Sequence, residues 1–208
     1  MNNTQNHWDV VYSNAKTDKL GWYEEIPEPS LEFIDKCKLD KNAHILDVGS
    51  GVTTLISSLL KKNYINITAI DISEEAIKIA KKGIAPDLRD NINWIRDDIT
   101  NPKKFNVYQK VDLWHDRTVL HFLTGEKDQE GYLTTLKKSV KKSGYVIIAV
   151  FALNGANKCS GLDVKRYDHE MIKKFLGNEF NLHDHFSYTY LQPSGNERPF
   201  IYTLFQRR

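Results

Sequence analysis

Two glycines and an aspartate in the first half of the chain have residue types and a spacing that could bind a ligand. Gly49 and Gly51 follow a short apolar run and precede a helical apolar pattern. Glycine lets the backbone turn tightly and approach a ligand, and the following helix directs free N–H groups towards the same point. Asp71 ends the next apolar run about 20 residues later, where an acidic side chain binds ribose hydroxyls in nucleotide-binding α/β proteins. The alternative role for Asp71 is that of a loop aspartate before a helix.

Asp47, which precedes the glycines, indicates the charge of the ligand. A carboxylate at this position would repel a dinucleotide pyrophosphate and attract a sulfonium or ammonium group. Thr54 occupies the place of the third glycine of dinucleotide-binding loops. These residues favour S-adenosylmethionine over a nicotinamide cofactor, and they count against an oxidoreductase. The alternative role for Asp47 is that of a turn or cap residue.

His115, Asp116 and Arg117 follow the fourth apolar run. In open α/β sheets the ligand lies beyond the carboxyl ends of the strands, so we expect these side chains close to the transferred methyl group. His115 or Asp116 is then the candidate base that removes a proton from the acceptor. The alternatives are that Asp116 pairs with Arg117 or caps the next helix, and that His115 only contacts the cofactor. Alignment for an in-line displacement can supply much of the rate without a base.

An aromatic-rich leader occupies residues 1–30 and includes Trp8, Tyr12, Trp22 and Tyr23. Aromatic faces attract cations such as a sulfonium or an ammonium, which favours a lid over the site. Burial of the same rings against the core would also explain them.

The elements that must position these residues alternate along a single domain that spans residues 1–208. Apolar runs predict strands over residues 43–48, 67–72, 91–95, 110–114, 145–152, 180–190 and 200–205. Helical patterns occupy residues 53–60, 118–123, 129–140 and 168–176, and two further helices begin near Ser30 and Ser73. Alternating strands and helices predict an α/β fold, a doubly wound and mostly parallel sheet. The last two strands have no helix between them and are expected to pair antiparallel.

The order of three stretches resembles that of the class I S-adenosylmethionine-dependent methyltransferases. The stretches are residues 45–51, 69–73 and 95–99, and the similarity spans residues 43–152. The resemblance implies a Rossmann-like, seven-stranded sheet whose last strand is antiparallel. This sequence departs from the family at Val52 and Thr53, where a third glycine is frequent.

The resemblance also implies roles for individual residues. Asp71, with Ile72 beside it, would bind the ribose diol, and Asp98 would accept a hydrogen bond from the adenine amino group. Ile99 would donate its backbone N–H to the adenine ring, and Asp97 competes with Asp98 for the adenine. The residues that would surround the methionine portion are Asp47, Gly49 and Gly51, with His115 close by.

A narrower similarity links residues 116–121, together with the leader, to eukaryotic lysine methyltransferases that act on elongation factors. That family carries Asp-Lys-Gly-Thr-Leu-Asp after the fourth strand, whereas this chain has Arg117, Thr118 and His121 in place of Lys, Gly and the final Asp. The resemblance makes a protein lysine one candidate acceptor. It implies that Trp22, Tyr23, Arg117 and His121 contact the substrate.

Composition restricts the remaining possibilities. The 208 residues carry a net charge of +2, which argues against a dedicated nucleic-acid-binding surface. The two cysteines form no framework and favour a reducing, cytoplasmic setting, in which Cys159 is an ordinary thiol. We expect no membrane partner, because the longest apolar run is far shorter than the roughly 20 residues of a membrane span. We also expect no metal site, because His183 and His185 share a strand face without a third ligand.

Taken together, the residues predict an S-adenosylmethionine-dependent methyltransferase whose acceptor is a protein or a small molecule. The alternative from a different class is a non-catalytic module that binds S-adenosylmethionine.

Overall fold

A seven-stranded sheet forms the centre of the computed structural model, which describes residues 3–14, 16–52 and 54–208. The strand order is β3-β2-β1-β4-β5-β9-β8. The strands of the sheet are β1 (Ile45–Val48), β2 (Ile67–Asp71), β3 (Ile92–Arg96), β4 (Val111–Arg117), β5 (Val140–Phe151), β8 (Phe180–Leu191) and β9 (Glu197–Arg207). A small separate hairpin consists of β6 (Lys158–Cys159) and β7 (Leu162–Asp163).

The strand directions confirm the predicted Rossmann-like α/β fold. β1 pairs in parallel with both β2 and β4, and β4 pairs in parallel with β5. β9 runs antiparallel to both of its neighbours, β5 and β8. The strand order reverses between β1 and β4, and in doubly wound sheets this reversal opens a crevice at the carboxyl ends of the strands.

Helices cover both faces of the sheet. They are α1 (Asn3–Asn14), α2 (Glu28–Lys36), α3 (Leu55–Lys61), α4 (Glu74–Lys82), α5 (Pro86–Arg89), α6 (Glu126–Ser139) and α7 (His169–Leu176). α2 and α3 pack into one apolar cluster with Ile45, whereas α6 and α7 pack into another with Leu46 and Val48. Because side chains alternate along a strand, β1 is buried on both faces, as a central parallel strand should be.

The helix predicted over residues 118–123 was wrong, because only Leu120–Phe122 form a short 3-10 turn. Thr118 has φ 79, which is incompatible with a right-handed helix. The Asp116 carboxylate accepts hydrogen bonds from the backbone N–H groups of Val119 and Leu120 and holds a tight turn instead. β5 also begins earlier than predicted, at Val140, so that α6 leads directly into the strand. Ser143 has φ 61 within that strand.

The leader contains a helix, α1, that lies across the glycine loop and α4. The Ser73 hydroxyl donates a hydrogen bond to Asp9 Oδ1 at 2.7 Å, and the Glu75 N–H donates to the same oxygen at 3.3 Å. The ring centroids of Trp8 and Tyr12 each lie 5.8 Å from that of Trp22 and 6.2 Å from one another. The aromatic residues of the leader therefore form one cluster above the carboxyl edge of the sheet. Within the described residues, no helix is both long enough and apolar enough to cross a membrane.

Candidate active site

A cavity of about 300 Å³ opens at the carboxyl edge of the sheet, beneath α1. Six of the residues predicted to bind the cofactor line it: Gly49, Gly51, Asp71, Ile72, Asp98 and Ile99. Trp8, Tyr12 and Trp22 from the leader line it as well. The structure therefore brings most of the predicted cofactor residues to a single cavity, with aromatic rings as its roof.

The two loop glycines occupy positions at which a side chain would not fit. Gly49 and Gly51 have φ values of 60 and 52, in the left-handed region that favours glycine. A Cβ atom on Gly49 would lie 2.1 Å from Val119 Cγ2, and one on Gly51 would lie 2.7 Å from Tyr12 Oη. The loop thus needs glycine for its backbone conformation and for the close approach of its neighbours.

Asp71 is buried at the end of β2 and is tied to the glycine loop. Its Oδ2 accepts a hydrogen bond from the Gly51 N–H and its Oδ1 from the Ser73 N–H, both at 2.8 Å. Burial raises the pKa of Asp71 to about 6, and these two hydrogen bonds oppose that shift. The carboxylate can still accept hydrogen bonds from a ligand, because each oxygen has more than one lone pair.

The neighbouring Asp97 and Asp98 differ in how many of their hydrogen-bonding positions the protein already uses. Asp97 Oδ2 accepts the backbone N–H groups of residues 103–105 at 2.6 to 2.9 Å, so it holds that loop in place. Asp98 Oδ1 accepts two hydrogen bonds from Thr100, at 2.9 and 2.7 Å. Both aspartates line the cavity, but Asp98 Oδ2 accepts no hydrogen bond from the described residues. Asp98 therefore has the freer carboxylate oxygen.

His115 lies behind the glycine loop, beside a second cavity of about 20 Å³ that Asp47 also lines. Its Nδ1 is 2.8 Å from Asp47 Oδ1, and its Nε2 is 2.9 Å from Ser30 Oγ. Both ring nitrogens are thus engaged, and the ring is buried. This placement does not put His115 beside the acceptor as a base, whereas its contact with the cofactor stays a prediction. Asp47 Oδ2 is buried and has no partner among the described residues.

Asp116 lies beneath the turn that follows β4 and is completely buried. Its Oδ1 accepts the Val119 N–H at 2.8 Å, and its Oδ2 accepts the Leu120 N–H at 3.0 Å and the Tyr132 hydroxyl at 2.6 Å. Burial raises the pKa of Asp116 to about 6. Its predicted position beside the acceptor is therefore corrected as well, because the carboxylate is completely buried and is hydrogen-bonded to the turn and to Tyr132.

Arg117 lies on the same face of β4 as His115 and reaches towards β9 and the leader. Its Nε donates to the Tyr202 hydroxyl at 3.1 Å and lies 3.2 Å from Glu24 Oε2, while its Nη1 donates to the Trp22 carbonyl at 3.0 Å. Arg117 Nη2 and Glu24 Oε1 are buried, and neither has a partner in the part of the chain that the structure describes. Glu24 was not among the site residues predicted from the sequence, although its position directly after Trp22 and Tyr23 could have indicated a role in the site.

The other predicted substrate residues lie in different places, His121 in the core and Trp22 and Tyr23 at the cavities. His121 is fully buried between the rings of Phe122 and Phe151, at centroid distances of 4.4 and 4.6 Å. Burial lowers the pKa of His121 to about 3, so the imidazole is neutral. The expected contact of His121 with substrate is corrected, because its ring belongs to the core. Trp22 lines both cavities, and Tyr23 lines the smaller one.

Distant parts of the chain complete the larger cavity on the side away from Asp71. Phe151, Cys159, Arg198 and Phe200 line this part, and the Arg117 guanidinium lies 5.2 Å from the Phe200 ring centroid. Arg198 and Phe200 were not predicted as site residues, because they lie on β9, far along the chain from every recognised motif. The part of the chain described by the structure holds no group of three His, Cys, Asp or Glu residues suited to a metal ion.

The sheet order, the glycine loop and the cavity at the carboxyl edge define a Rossmann-like fold of the methyltransferase type. A family described as "Methyltransferase domain" matches residues 39–184. The chain belongs to this family, which confirms the class predicted from its motifs.

The chain is also similar to the EEF1A lysine methyltransferase 2 of Mus musculus, with 27% identity over 163 residues. This similarity covers 70% of the chain but only 64% of the mouse protein. A solved S-adenosylmethionine-dependent methyltransferase from Anabaena variabilis superposes with a TM-score of 0.77 at 15% identity, over 99% of this chain and 93% of that one. The N-methyltransferase NodS of Bradyrhizobium japonicum, solved with S-adenosyl-L-homocysteine, gives a TM-score of 0.67 at 15% identity and covers 99% of both chains. These structural similarities confirm the fold.

Proposed function

We propose that this chain transfers a methyl group from S-adenosylmethionine to an acceptor that enters beside Trp22 and Phe200. The observation that carries the proposal is that the larger cavity extends from the glycine loop and Asp71 to an aromatic compartment, the part lined by Trp22, Phe151 and Phe200. A module that only bound the cofactor would not need this aromatic compartment.

The free polar atoms of the site fit the parts of the cofactor. Asp71 would accept hydrogen bonds from the ribose hydroxyls, and Asp98 Oδ2 would accept one from the adenine amino group. The Ile99 N–H would face the adenine ring. Asp47 Oδ2 and Glu24 Oε1 are buried carboxylate oxygens beside the smaller cavity, and no described residue donates a hydrogen bond to them. Buried polar groups are normally hydrogen-bonded, so these two oxygens suit the methionine ammonium group.

The residues of this chain would act by positioning the reactants. When bound, the cofactor supplies a methyl group on a sulfonium, which is open to in-line displacement by a nucleophile. Trp22 and Phe200 would exclude water and hold the acceptor, and alignment of this kind can supply a large part of the rate enhancement. The engagement of His115 and Asp116 with Ser30, Asp47 and the turn supports their role as positioning residues and not as bases.

The acceptor is a separate question from the transfer itself. A protein lysine is supported by the name of the mouse relative. A small molecule is supported by the roofed cavity, in which Trp8 and Tyr12 of α1 cover the approach to the glycine loop.

Calorimetric titration with S-adenosylhomocysteine tests the proposal. Wild-type protein should bind it saturably, and Asp71→Ala should weaken binding by about 1.5–3 kcal/mol through loss of charged hydrogen bonds. Asp87→Ala is the matched control, because Asp87 is exposed on α5. Equal affinity in wild type and Asp71→Ala would contradict the ribose assignment, and absence of saturable binding by the folded wild type would contradict the function.

A further inference from the structure

The charged side chains that line the larger cavity are segregated by sign. The carboxylates are Asp71, Asp97, Asp98 and Asp128, and the guanidiniums are Arg117 and Arg198. Asp71, Asp97 and Asp98 follow β2 and β3, whereas Arg117 ends β4 and Arg198 lies on β9. The order of the strands places Asp71, Asp97 and Asp98 on one side of β1 and the guanidiniums on the other, whereas Asp128 lies on α6, which follows β4. The aromatic compartment therefore has a different charge from the region assigned to the adenosyl group.

Arg117 lines this compartment, and one of its buried hydrogen-bond donors has no partner among the described residues. The residue is 7% exposed, and its Nη2 has no partner within residues 3–14, 16–52 and 54–208, although its Nε and Nη1 are both hydrogen-bonded. Glu24 balances the charge of Arg117 through the 3.2 Å contact with Nε, but it does not reach Nη2. An unsatisfied buried N–H of a guanidinium is rare and calls for a partner from outside the protein.

Arg198 adds a positive charge without a carboxylate partner among the described residues. Its Nη1 donates to the backbone carbonyl of Glu197 at 3.1 Å. Arg198 lies two residues before Phe200 on β9, so their side chains face the same side of that strand, and the Arg117 guanidinium lies 5.2 Å from the Phe200 ring centroid. Two guanidiniums against one carboxylate, Glu24, leave this compartment positively charged.

Resting on the proposed function, we infer that the methyl acceptor is a small organic anion whose carboxylate or phosphate binds Arg117 Nη2 and Arg198. Guanidinium groups match the geometry of both anions through paired N–H donors. The rings of Phe200 and Trp22 would flank the body of this molecule. A lysine ammonium, by contrast, would meet two like charges in the compartment.

The reaction balances without a further reagent. A lone pair on a nitrogen, oxygen or sulfur atom of the acceptor forms the new bond to the methyl carbon. The bond from that carbon to the sulfonium sulfur breaks, and its electron pair remains on sulfur in S-adenosylhomocysteine. The proton displaced from the acceptor passes to water, and the anionic group held by the two arginines is unchanged.

The acceptor class is tested with methyl-labelled S-adenosylmethionine and a cell extract separated into protein, RNA and small-molecule fractions, the last split by anion exchange. Label is expected in the small molecules that the anion exchanger retains. Phosphatase treatment of the labelled product then distinguishes a phosphate, which is lost, from a carboxylate, which persists. Label in protein lysines, in RNA, or in neutral or cationic small molecules would overturn the inference and leave the methyltransferase proposal standing. Label in no fraction would contradict both.

The arginine assignment is tested with the labelled anion as substrate. Arg198→Gln should raise its KM at least about tenfold while the affinity for S-adenosylhomocysteine stays within about twofold. Arg117→Lys keeps the charge but loses the paired donors, and it should raise the same KM. Lys158→Gln is the matched control, because this exposed lysine precedes Cys159 on the same hairpin. An unchanged KM would overturn the assignment. A fall in S-adenosylhomocysteine affinity instead would assign the guanidiniums to the cofactor and overturn it as well.

Discussion

At the scale of single residues, the hydrogen bonds that a carboxylate already makes decide what else it can bind. Asp97 and Asp116 each hold a turn through several backbone N–H groups. Asp98 and Asp47 each keep one oxygen without a partner among the described residues. The second pair is therefore better suited to a ligand, although all four are aspartates near the same edge of the sheet.

The pKa of Asp71 gives a pH dependence to cofactor binding. Burial raises this pKa to about 6, and ribose hydroxyls donate to the ionised carboxylate, so the bound state favours loss of the proton. The affinity for S-adenosylhomocysteine should therefore be highest above about pH 7 and should fall as the pH drops through 6, by up to about tenfold per unit. Calorimetric titration at about pH 5 and about pH 7.5 measures this change in affinity. Asp71→Asn should abolish the dependence, and a flat profile in the wild type would contradict the assignment.

Thr118 carries backbone strain at the cavity wall. A β-branched residue with φ 79 is a conformational outlier, and such a residue costs about 1–3 kcal/mol. Thr118→Gly should raise the free energy of unfolding by about 1 kcal/mol, after allowing for the greater entropy of glycine in the unfolded chain. Urea unfolding measures the change. Thr134→Gly, at an exposed position within α6, should instead destabilise by about 1 kcal/mol. A loss of stability in Thr118→Gly would refute the claim of strain.

At the scale of elements, α1 and the turn after β4 bound the cavity from opposite sides. α1 supplies the aromatic roof and is fastened to α4 by Asp9. The turn places Val119 against Gly49 and is fastened by Asp116. Each element therefore depends on one carboxylate that contacts no ligand in the proposed scheme.

Loss of the Asp9 anchor should loosen the roof. Asp9→Ala removes the acceptor for the Ser73 hydroxyl, so we expect S-adenosylhomocysteine to dissociate several-fold faster with little change in the association rate. Stopped-flow fluorescence of Trp8 and Trp22 can follow the release. Asp18→Ala provides the control, because Asp18 is exposed in the same leader. Identical dissociation rates in the two variants would show that α1 does not retain the ligand.

Asp116→Asn separates a structural role from a catalytic one. The amide would keep one acceptor oxygen but would turn N–H groups towards donors now bound by the carboxylate, so the free energy of unfolding should fall by about 1–3 kcal/mol. Methyl transfer by the folded protein should stay within a few-fold of wild type. A loss of about 10²-fold in turnover with unchanged stability would restore Asp116 as a base.

At the scale of the whole molecule, the parts of the fold that could be predicted were those that local patterns specify. The seven strands were recognised because apolar, β-branched runs such as residues 145–151 are typical of parallel strands buried on both faces. Gly49, Gly51 and Asp71 were found because their spacing is local to one strand-helix-strand unit. The contact of Glu24 with Arg117, and the position of Arg198 in the same cavity wall as Cys159, arise only when distant segments fold together, and no local pattern indicates them. His115, Asp116 and His121 show the converse, since their sequence positions do not reveal how completely the protein buries them.

A crystal structure with S-adenosylhomocysteine tests the central claim most directly, namely that the roofed cavity at the carboxyl edge binds the cofactor. The predicted result is a ribose within hydrogen-bonding distance of Asp71, an adenine beside Asp98 and Ile99, and the sulfur facing the compartment of Trp22 and Phe200. A ligand bound elsewhere, or bound in the cavity with its ribose away from Asp71, would contradict the account.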